Sequence, residues 1–526
     1  MKNILFLAAE VAPYVTVGGL SQVMYFLPRA LKRRGFDVRI FTPKYGVSKF
    51  KNGGKNGKTS VRKLKMMVKG LAVPTGETKK EKAKELICNV LSYKPEQKHD
   101  AGMYFLENRE YYELRANVYG YADDHTRFAL LAKGCLEWLL NQYAEKKKGK
   151  PVWWPDVIHC HDWHTALFID MARRDPRYRS MLRKTPIVLS VHNFKYQGVR
   201  DFRFLREEEK DDIKEPVASL LDDRLRNQNA LKRGLIYSDA VMTVSPTHAI
   251  EVLTPEYSEG LLDTLLDIRG KLNGILNGLD LEEFNPNTDP TIKRRYSSAN
   301  FIKAREANKL HLQQEFNLPE NPDAFLLSFI GRLTQQKGVD LILEAVPHLI
   351  KEFPEIQLVL LGTGEEKYRK GCYELQQNFP KNVGIFLYSD FRLPKRIFSG
   401  SDLTLLPSMF EPGGIVALEA LRFGSVPLVR RTGGLRDIVT RFDPVKGKGN
   451  GFLFTEKTPW ALFAGVVEAY SIHRQPKLWH QLVKNALDYR MTWDDAAEEY
   501  EDWYVGVGKQ RNRALRRPSR NPLFHV

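Results

Sequence analysis

The sequence predicts an α/β protein with two doubly wound, Rossmann-like domains, and three observations carry that reading. The chain opens with an apolar run, Ile4–Ala9, a loop holding Pro13 and Gly18-Gly19, an amphipathic stretch from Leu20 to Arg34, and a second apolar run, Val38–Thr42. Strand, glycine loop, helix, strand is the βαβ unit of a parallel sheet. The same grammar returns with Phe325–Ile330, the polar loop Gly331–Gly338, the helical stretch Val339–Phe353 and the apolar run Gln357–Leu361. Third, the short apolar runs Val157–His159, Ile187–Val191 and Ala240–Val244 each hand over to polar residues: His161-Asp162, His192-Asn193 and Ser245-Pro246. In open parallel sheets the ligand lies off the carboxyl ends of the strands.

Taken in order, Leu20, Val23, Leu27 and Leu31 stand at helical spacing, Pro28 predicts a kink, and Gly35 stops the helix. Residues 47–100 carry 14 Lys/Arg against 5 Asp/Glu and read as a long basic insertion in the first domain, residues 1–284. The stretch 285–322, rich in Asn, Pro, Asp and charge, reads as a linker to a second domain, residues 323–491. There Leu403–Leu406 reads as a strand running into Pro407-Ser408 and Phe410-Glu411-Pro412-Gly413-Gly414, with a helix starting at Ile415. Residues 506–526 carry 6 Lys/Arg and no acid and read as a disordered tail.

Composition narrows the function. Of 526 residues, 43% are hydrophobic and 27% charged, which excludes a disordered chain, a collagen and a coiled coil. The net charge of +18 suits anionic partners, but the insertion and tail hold +15 of it, so the main body is nearly neutral. Nothing resembling a nucleic-acid recognition module accompanies those basic runs, and aromatics are not interleaved with them, so no nucleic-acid partner is expected. The four cysteines, Cys88, Cys135, Cys160 and Cys372, lie far apart without zinc spacing. The first apolar run is too short for a signal peptide, and no run has membrane-spanning length. A cytoplasmic protein with no membrane partner is the expectation.

Four groups of residues could carry chemistry. Gly18-Gly19 fits a tight turn or a phosphate cradle at a helix N-terminus, since glycine lets anions approach backbone N–H groups. Arg332 and Lys337 on one loop fit either a solvated basic loop or two cations facing a diphosphate, a fork and a point charge. Glu411 would lie in a loop and Glu419 about two turns into the following helix, so their roles differ; Glu419 also fits a plain surface or core carboxylate. His159, His161 and His164 invite a metal reading, but the spacing lacks the helical H-E-x-x-H geometry. A strand-end histidine bonding a substrate hydroxyl is more economical, so no metal or cofactor is expected.

These residues sit in motifs that resemble one family over almost the whole chain. Ala9-Glu10-Val11-Ala12-Pro13-Tyr14 with Val17-Gly18-Gly19-Leu20, His161-Asp162-Trp163-His164, Val191-His192-Asn193, Ile275-Leu276-Asn277-Gly278, Arg332-Leu333-Thr334 with Gln336-Lys337-Gly338, Phe410-Glu411-Pro412 and Arg430-Arg431-Thr432-Gly433-Gly434 stand in the order found in bacterial glycogen synthases and plant starch synthases. The resemblance implies the GT-B fold, two Rossmann-like domains facing across a cleft, with residues 492–505 returning to the first. It implies retaining transfer of glucose from ADP-glucose to the non-reducing 4-hydroxyl of an α-1,4-glucan. Carried over, Arg332 and Lys337 meet the leaving diphosphate, Glu411 the sugar hydroxyls, and His161 the glucosyl ring. The backbone of Gly414, Ile415 and Val416 would cradle the phosphates, Tyr388 would lie against the base, and Asp123 and Asn277 would line the sugar pocket. Thr16, Gly18, Gly19 and Glu419 complete the donor set. Retention would proceed by front-face attack through a tight ion pair.

Two departures stand out. The family's first loop reads Lys-x-Gly-Gly-Leu, and here the lysine position is Thr16. This keeps a related transferase using UDP-glucose open, and a non-catalytic glucan-binding homologue stands as a further alternative. Lys395, where the family often has histidine near the nucleotide, is a candidate replacement for the missing charge. The family's Glu-Pro-Cys-Gly-Leu is Glu411-Pro412-Gly413-Gly414-Ile415 here, which keeps the backbone donors.

Overall fold

A computed structural model describes every residue except 1, 49–63, 77–83, 96, 200–209, 389, 391 and 517–526. The chain forms two compact units: residues 1–243, 252–275 and 494–526, and residues 244–251 and 276–493.

The first unit is built on nine strands: β1 (Asn3–Leu7), β2 (Asp37–Pro43), β3 (Lys65–Pro74), β4 (Glu85–Tyr93), β5 (Gly102–Glu107), β6 (Val157–His161), β7 (Ile187–Val191), β8 (Ala240–Thr243) and β9 (Leu272–Gly274). Their order is β3-β4-β5-β2-β1-β6-β7-β8-β9. The pairs β3–β4 and β4–β5 are antiparallel and the others parallel. Strands β6 and β7 are buried along their whole length. Burial on both faces is why they read as continuous apolar runs without alternation. The helix Gly19–Arg33 buries Leu20, Val23, Leu27 and Leu31, the periodic residues, with Pro28 inside it.

The second unit carries six parallel strands: β10 (Phe325–Ile330), β11 (Ile356–Leu361), β12 (Val383–Phe386), β13 (Leu403–Leu406), β14 (Val426–Arg430) and β15 (Phe452–Phe454). Their order is β12-β11-β10-β13-β14-β15. The first crossover is the helix Val339–Glu352, whose buried face is Val339, Ile342, Val346 and Leu349.

Four expectations change. Much of the basic insertion is sheet: β3 and β4 extend the edge, and β4 buries Cys88, Val90, Leu91 and Tyr93. Its most basic part, residues 49–63, lies outside the described residues. The expected linker 285–322 belongs to the second unit and contains the helix Phe301–Glu315. Its polar composition hides anchors: Tyr296 Oη donates to Phe423 O at 2.6 Å, Arg305 donates to Phe398 O at 3.0 Å, and Lys309 pairs with Asp402 at 2.7 Å. Residue 284 is not a single boundary, because residues 244–251 also belong to the second unit, where Ser245 Oγ donates to Pro412 O at 2.7 Å. Finally, the last helix runs from Trp493 to Arg516, so residues 506–516 of the expected disordered tail are helical. Arg511 fastens that end to Asp239 at 2.9 Å and to the Arg183 carbonyl; residues 517–526 lie outside the described set. No helix among the described residues is long and apolar enough to cross a membrane.

Candidate active site

In the second unit, the loops after β10 and β13 bring a cation to a carboxylate. Lys337 lies in a 3-10 turn, Gln335–Lys337, and Glu411 follows β13. Lys337 Nζ donates to Glu411 Oε2 at 2.5 Å, and Ser408 Oγ donates to the same oxygen at 2.9 Å. Met409 N bonds Gln336 O at 2.8 Å and Gly434 N bonds Glu411 O at 3.0 Å, so three loops are laced together. Arg332 is exposed and, among the described residues, donates to Gln336 Oε1 at 3.2 Å. It is therefore free to turn toward an incoming anion.

Gly414 has φ +65° and caps the helix Ile415–Arg422. Only glycine adopts this left-handed turn without strain, and it starts the helix directly after the Glu411 loop, with Ala417 N bonded back to Gly414 O at 2.9 Å. A Cβ at Gly413 would come within 3.0 Å of Asn277 Nδ2, so the glycine that departs from the family pattern leaves room for Asn277. Asn277 is buried and its Oδ1 has no partner among the described residues. Glu419 is little more than one turn into the helix, because the helix begins only at Ile415. Burial pushes its carboxyl up to about 7, opposed by Lys395 and reinforced by Glu283. Lys395 Nζ is paired with Asp289 at 3.0 Å and donates to Glu283 O at 2.9 Å, so its charge is already matched. Tyr388 is 63% exposed, its ring edge-on to Phe386.

In the first unit, the Thr16–Gly19 loop is exposed and a residue missed by the sequence reading holds it. Glu10, only 4% exposed, accepts hydrogen bonds from Val17 N at 2.7 Å and Gly18 N at 2.9 Å through Oε2. Burial raises its carboxyl while those two N–H groups lower it. The loop's N–H groups thus already serve an internal carboxylate, which places the Gly18-Gly19 pair between the two readings the sequence left open. Of Glu10 the sequence showed only its position, a carboxylate directly after an apolar strand, and not the backbone partners that give it a role. Asp123 pairs with Arg115 at 2.6 Å just before the helix Asp124–Lys147.

The histidines sort by depth. His161 ends β6 and its side chain is fully buried; Nδ1 lies 3.1 Å from His192 Nε2, and Nε2 has no partner among the described residues. His192, directly after β7, is half-buried. His159 is buried behind them, bonded to Tyr504 Oη and Ser190 Oγ at 2.7 Å each. His164 packs against Tyr119, Phe128 and Trp163, and burial pushes it down to about 3. Among the described residues no group of three or more His, Cys, Asp or Glu could hold a metal ion.

Two parallel α/β units, one ending in a lysine–carboxylate pair beside a glycine-led helix start, make this protein a glycosyltransferase of GT-B type. The family model for the starch synthase catalytic domain matches residues 3–267, and that for glycosyl transferases group 1 matches residues 312–488. The glycogen synthase of Clostridium novyi (strain NT) is 35% identical over 509 residues, covering 96% of this chain and 99% of the relative. That of Clostridium perfringens (strain 13 / Type A) is 37% identical over 508 residues, covering 95% and 98%. The catalytic domain of starch synthase IV from Arabidopsis thaliana, solved bound to ADP and acarbose, superposes with a TM-score of 0.80 at 29% identity, covering 97% of this chain and 99% of that one. The chain belongs to the glycogen and starch synthase family.

Proposed function

We propose that the protein transfers glucose from ADP-glucose to the non-reducing 4-hydroxyl of an α-1,4-glucan with retention, in the cytoplasm. The observation that carries this reading is the Lys337–Glu411 contact at 2.5 Å, which supports it by joining a cation and a carboxylate, the two charges that transfer from a sugar diphosphate calls for. Arg332 and Lys337 neutralise the diphosphate as the bond from the sugar carbon to the phosphate oxygen breaks, the electrostatic work of a preorganised site. Glu411, paired with Lys337, receives sugar hydroxyls and faces the positive charge developing on the ring. A carboxylate already bonded to Lys337 and Ser408 is poorly placed as a nucleophile. The acceptor oxygen therefore attacks on the face the diphosphate leaves, and its proton passes to that departing oxygen. Backbone N–H groups of Gly414, Ile415 and Val416 meet the phosphates, Tyr388 the base and Glu419 the ribose side. Asp123 and Asn277 are each assigned to sugar hydroxyls, and His161 to the glucosyl ring through a hydroxyl or its backbone. The starch synthase solved with ADP supports the donor nucleotide, and the acarbose in that structure supports a glucan acceptor.

Thr16 favours UDP-glucose as the second reading, because it takes away a cation at the donor loop. Glucose incorporation into a glycogen primer, measured with ADP- and UDP-glucose side by side, tests both. Preference for UDP-glucose would replace the donor, and incorporation from neither would remove the reading.

A further inference from the structure

Two neighbouring acids open the helix Asp124–Lys147, and their carboxylates do different work. Asp124 is spent on structure: its Oδ1 accepts from Arg127 Nη1 at 2.5 Å, and its Oδ2 from Gly120 N at 2.8 Å and Tyr121 N at 3.2 Å. Asp123 stands at the N-cap, with Arg127 N bonded to its carbonyl at 3.0 Å. An aspartate there normally turns its side chain inward to accept an N–H of the first helical turn. Asp175, Asp222 and Asn229, at helix starts in the same unit, do so at 2.9 Å each. Asp123 makes no such bond. Its Oδ2 accepts from Arg115 Nη2 at 2.6 Å instead.

Arg115 is held on three sides. Its Nε donates to Glu110 O at 3.1 Å, its Nη2 meets Asp123, and its guanidinium carbon lies 5.0 Å from the centre of the Tyr121 ring. Tyr121 is itself fixed: Oη accepts from Asn117 N at 2.9 Å, and the fully buried Arg127 lies 4.9 Å from the ring centre. Glu110 belongs to a π-helical turn, Arg109–Glu113, whose start Asn108 caps by accepting from Tyr111 N at 3.1 Å. Holding a long, partly exposed side chain this firmly costs rotamer freedom. The ion pair it makes, with side chains 24% and 34% exposed, returns little stability. Stability alone favours the helix cap over such a pair. The observed arrangement leaves a carboxylate outside the helix, with one oxygen anchored and the other available to a hydroxyl.

We propose that Arg115 is a positioning residue: it draws Asp123 off the helix cap and presents the carboxylate to a sugar hydroxyl. The proposal rests on the reading of Asp123 as a sugar contact. Arg115 acts through Asp123 and meets no sugar itself. The planar guanidinium suits this work, because Nε and Nη2 are held by different partners and the fork cannot swing. Without Arg115, the donors nearest to the Asp123 carboxylate along the chain are the first-turn N–H groups of His125 and Thr126. The carboxylate then falls back onto the cap, and the hydroxyl loses its acceptor.

The test is Arg115→Ala in the full-length protein, read by kinetics, thermal melting and amide hydrogen exchange. For glucose transfer, kcat/KM should fall by about ten- to a hundredfold, the worth of one hydrogen bond to a charged group. The melting temperature should hold or rise, because the cap replaces the ion pair. Exchange at the amides of His125 and Thr126 should slow as Asp123 takes them up. In an Asp123→Ala background, Arg115→Ala should cost no further activity, since the two residues act as one unit. Arg115→Lys keeps a cation beside the carboxylate and should recover most of the rate. Arg115→Gln, which keeps the stem over Tyr121, takes the same readings if the alanine variant does not fold. A further loss of activity in the Asp123→Ala background would show that Arg115 meets the substrate itself and would overturn the proposal. So would an unchanged kcat/KM in a folded variant, or a lower melting temperature without slower exchange at His125 and Thr126. Transfer from no donor by the wild type would refute the glucosyl-transfer reading, and the exchange measurement would still decide what Arg115 does to Asp123.

Discussion

Replacing Lys337 with alanine should separate catalysis from stability in a way the structure makes quantitative. Lys337 and Glu411 meet at 2.5 Å with side chains 18% and 15% exposed, and Ser408 is the other donor to the same carboxylate oxygen. In transfer, the lost ammonium is one preorganised donor to the departing diphosphate, worth about 10²–10³ in turnover, or roughly 3–4 kcal/mol. In folding, Glu411 is left with Ser408 alone, a loss of about 1.5–3 kcal/mol for a charged hydrogen bond that is largely out of water. For a unit of this size each kcal/mol lowers the melting temperature by about 2–4 °C. Initial rates of glucose incorporation at saturating donor, with thermal melts of the same samples, give both numbers. Adding Glu411→Gln to Lys337→Ala removes the orphaned charge, so it should recover part of the melting temperature and none of the turnover. Near wild-type turnover in Lys337→Ala would refute the diphosphate role. Full recovery of turnover in the double variant would show that the lysine acts only by neutralising Glu411.

The other predictions rest on separate parts of the chain. Thr16→Lys restores a cation on an exposed loop; one charged contact of about 1–3 kcal/mol should lower the Michaelis constant for the true donor by about ten- to a hundredfold, with turnover changing less. No gain with ADP- or UDP-glucose would defeat the missing-cation account. Glu419 is raised from 4.5 to about 7, so the folded state holds its proton more tightly than the unfolded chain. Stability should therefore fall as pH rises from about 4.5 to 7 through this group, and Glu419→Gln should melt higher than wild type at pH 8 and about level with it at pH 4; equal melts at both would contradict the burial argument. Deleting residues 517–526 should leave transfer and melting unchanged, whereas deleting 509–526 removes Arg511 from Asp239 and the Arg183 carbonyl and should lower the melting temperature. Identical melts for the two truncations would show that Arg511 holds nothing.

The fold was most legible where strands are buried on both faces. Phe325–Ile330, Ile187–Val191 and Leu403–Leu406 are strands with the ends read from sequence, because such strands are bare apolar runs between polar residues. Reading failed where charge covers structure. In β4 the buried residues are interleaved with half-buried Asn89 and Ser92, and the surrounding lysines dominated the count. In 285–322 the anchors are Tyr296, Arg305 and Lys309, two of them charged residues that look solvated until their buried partners are seen. Within the candidate site, Lys337 and Glu411 were named independently from two loops, and the fold joins them. The histidines were harder. His161 and His192 both stand at the ends of apolar strands, and only the pairing of β6 with β7 brings their ring nitrogens within 3.1 Å. Glu10 was hidden for a similar reason: its partners are backbone N–H groups, which leave no mark in a side-chain pattern.

The central claim is that this chain moves glucose with retention from ADP-glucose onto an α-1,4-glucan. The direct measurement is transfer of radiolabelled glucose from ADP-glucose to a glycogen primer by the purified chain, followed by digestion of the product with an enzyme specific for α-1,4 linkages. The account predicts incorporation that depends on primer, exceeds that from UDP-glucose, and is fully released by the digestion. Label that is not incorporated from ADP-glucose, or that resists α-1,4 cleavage, would contradict it.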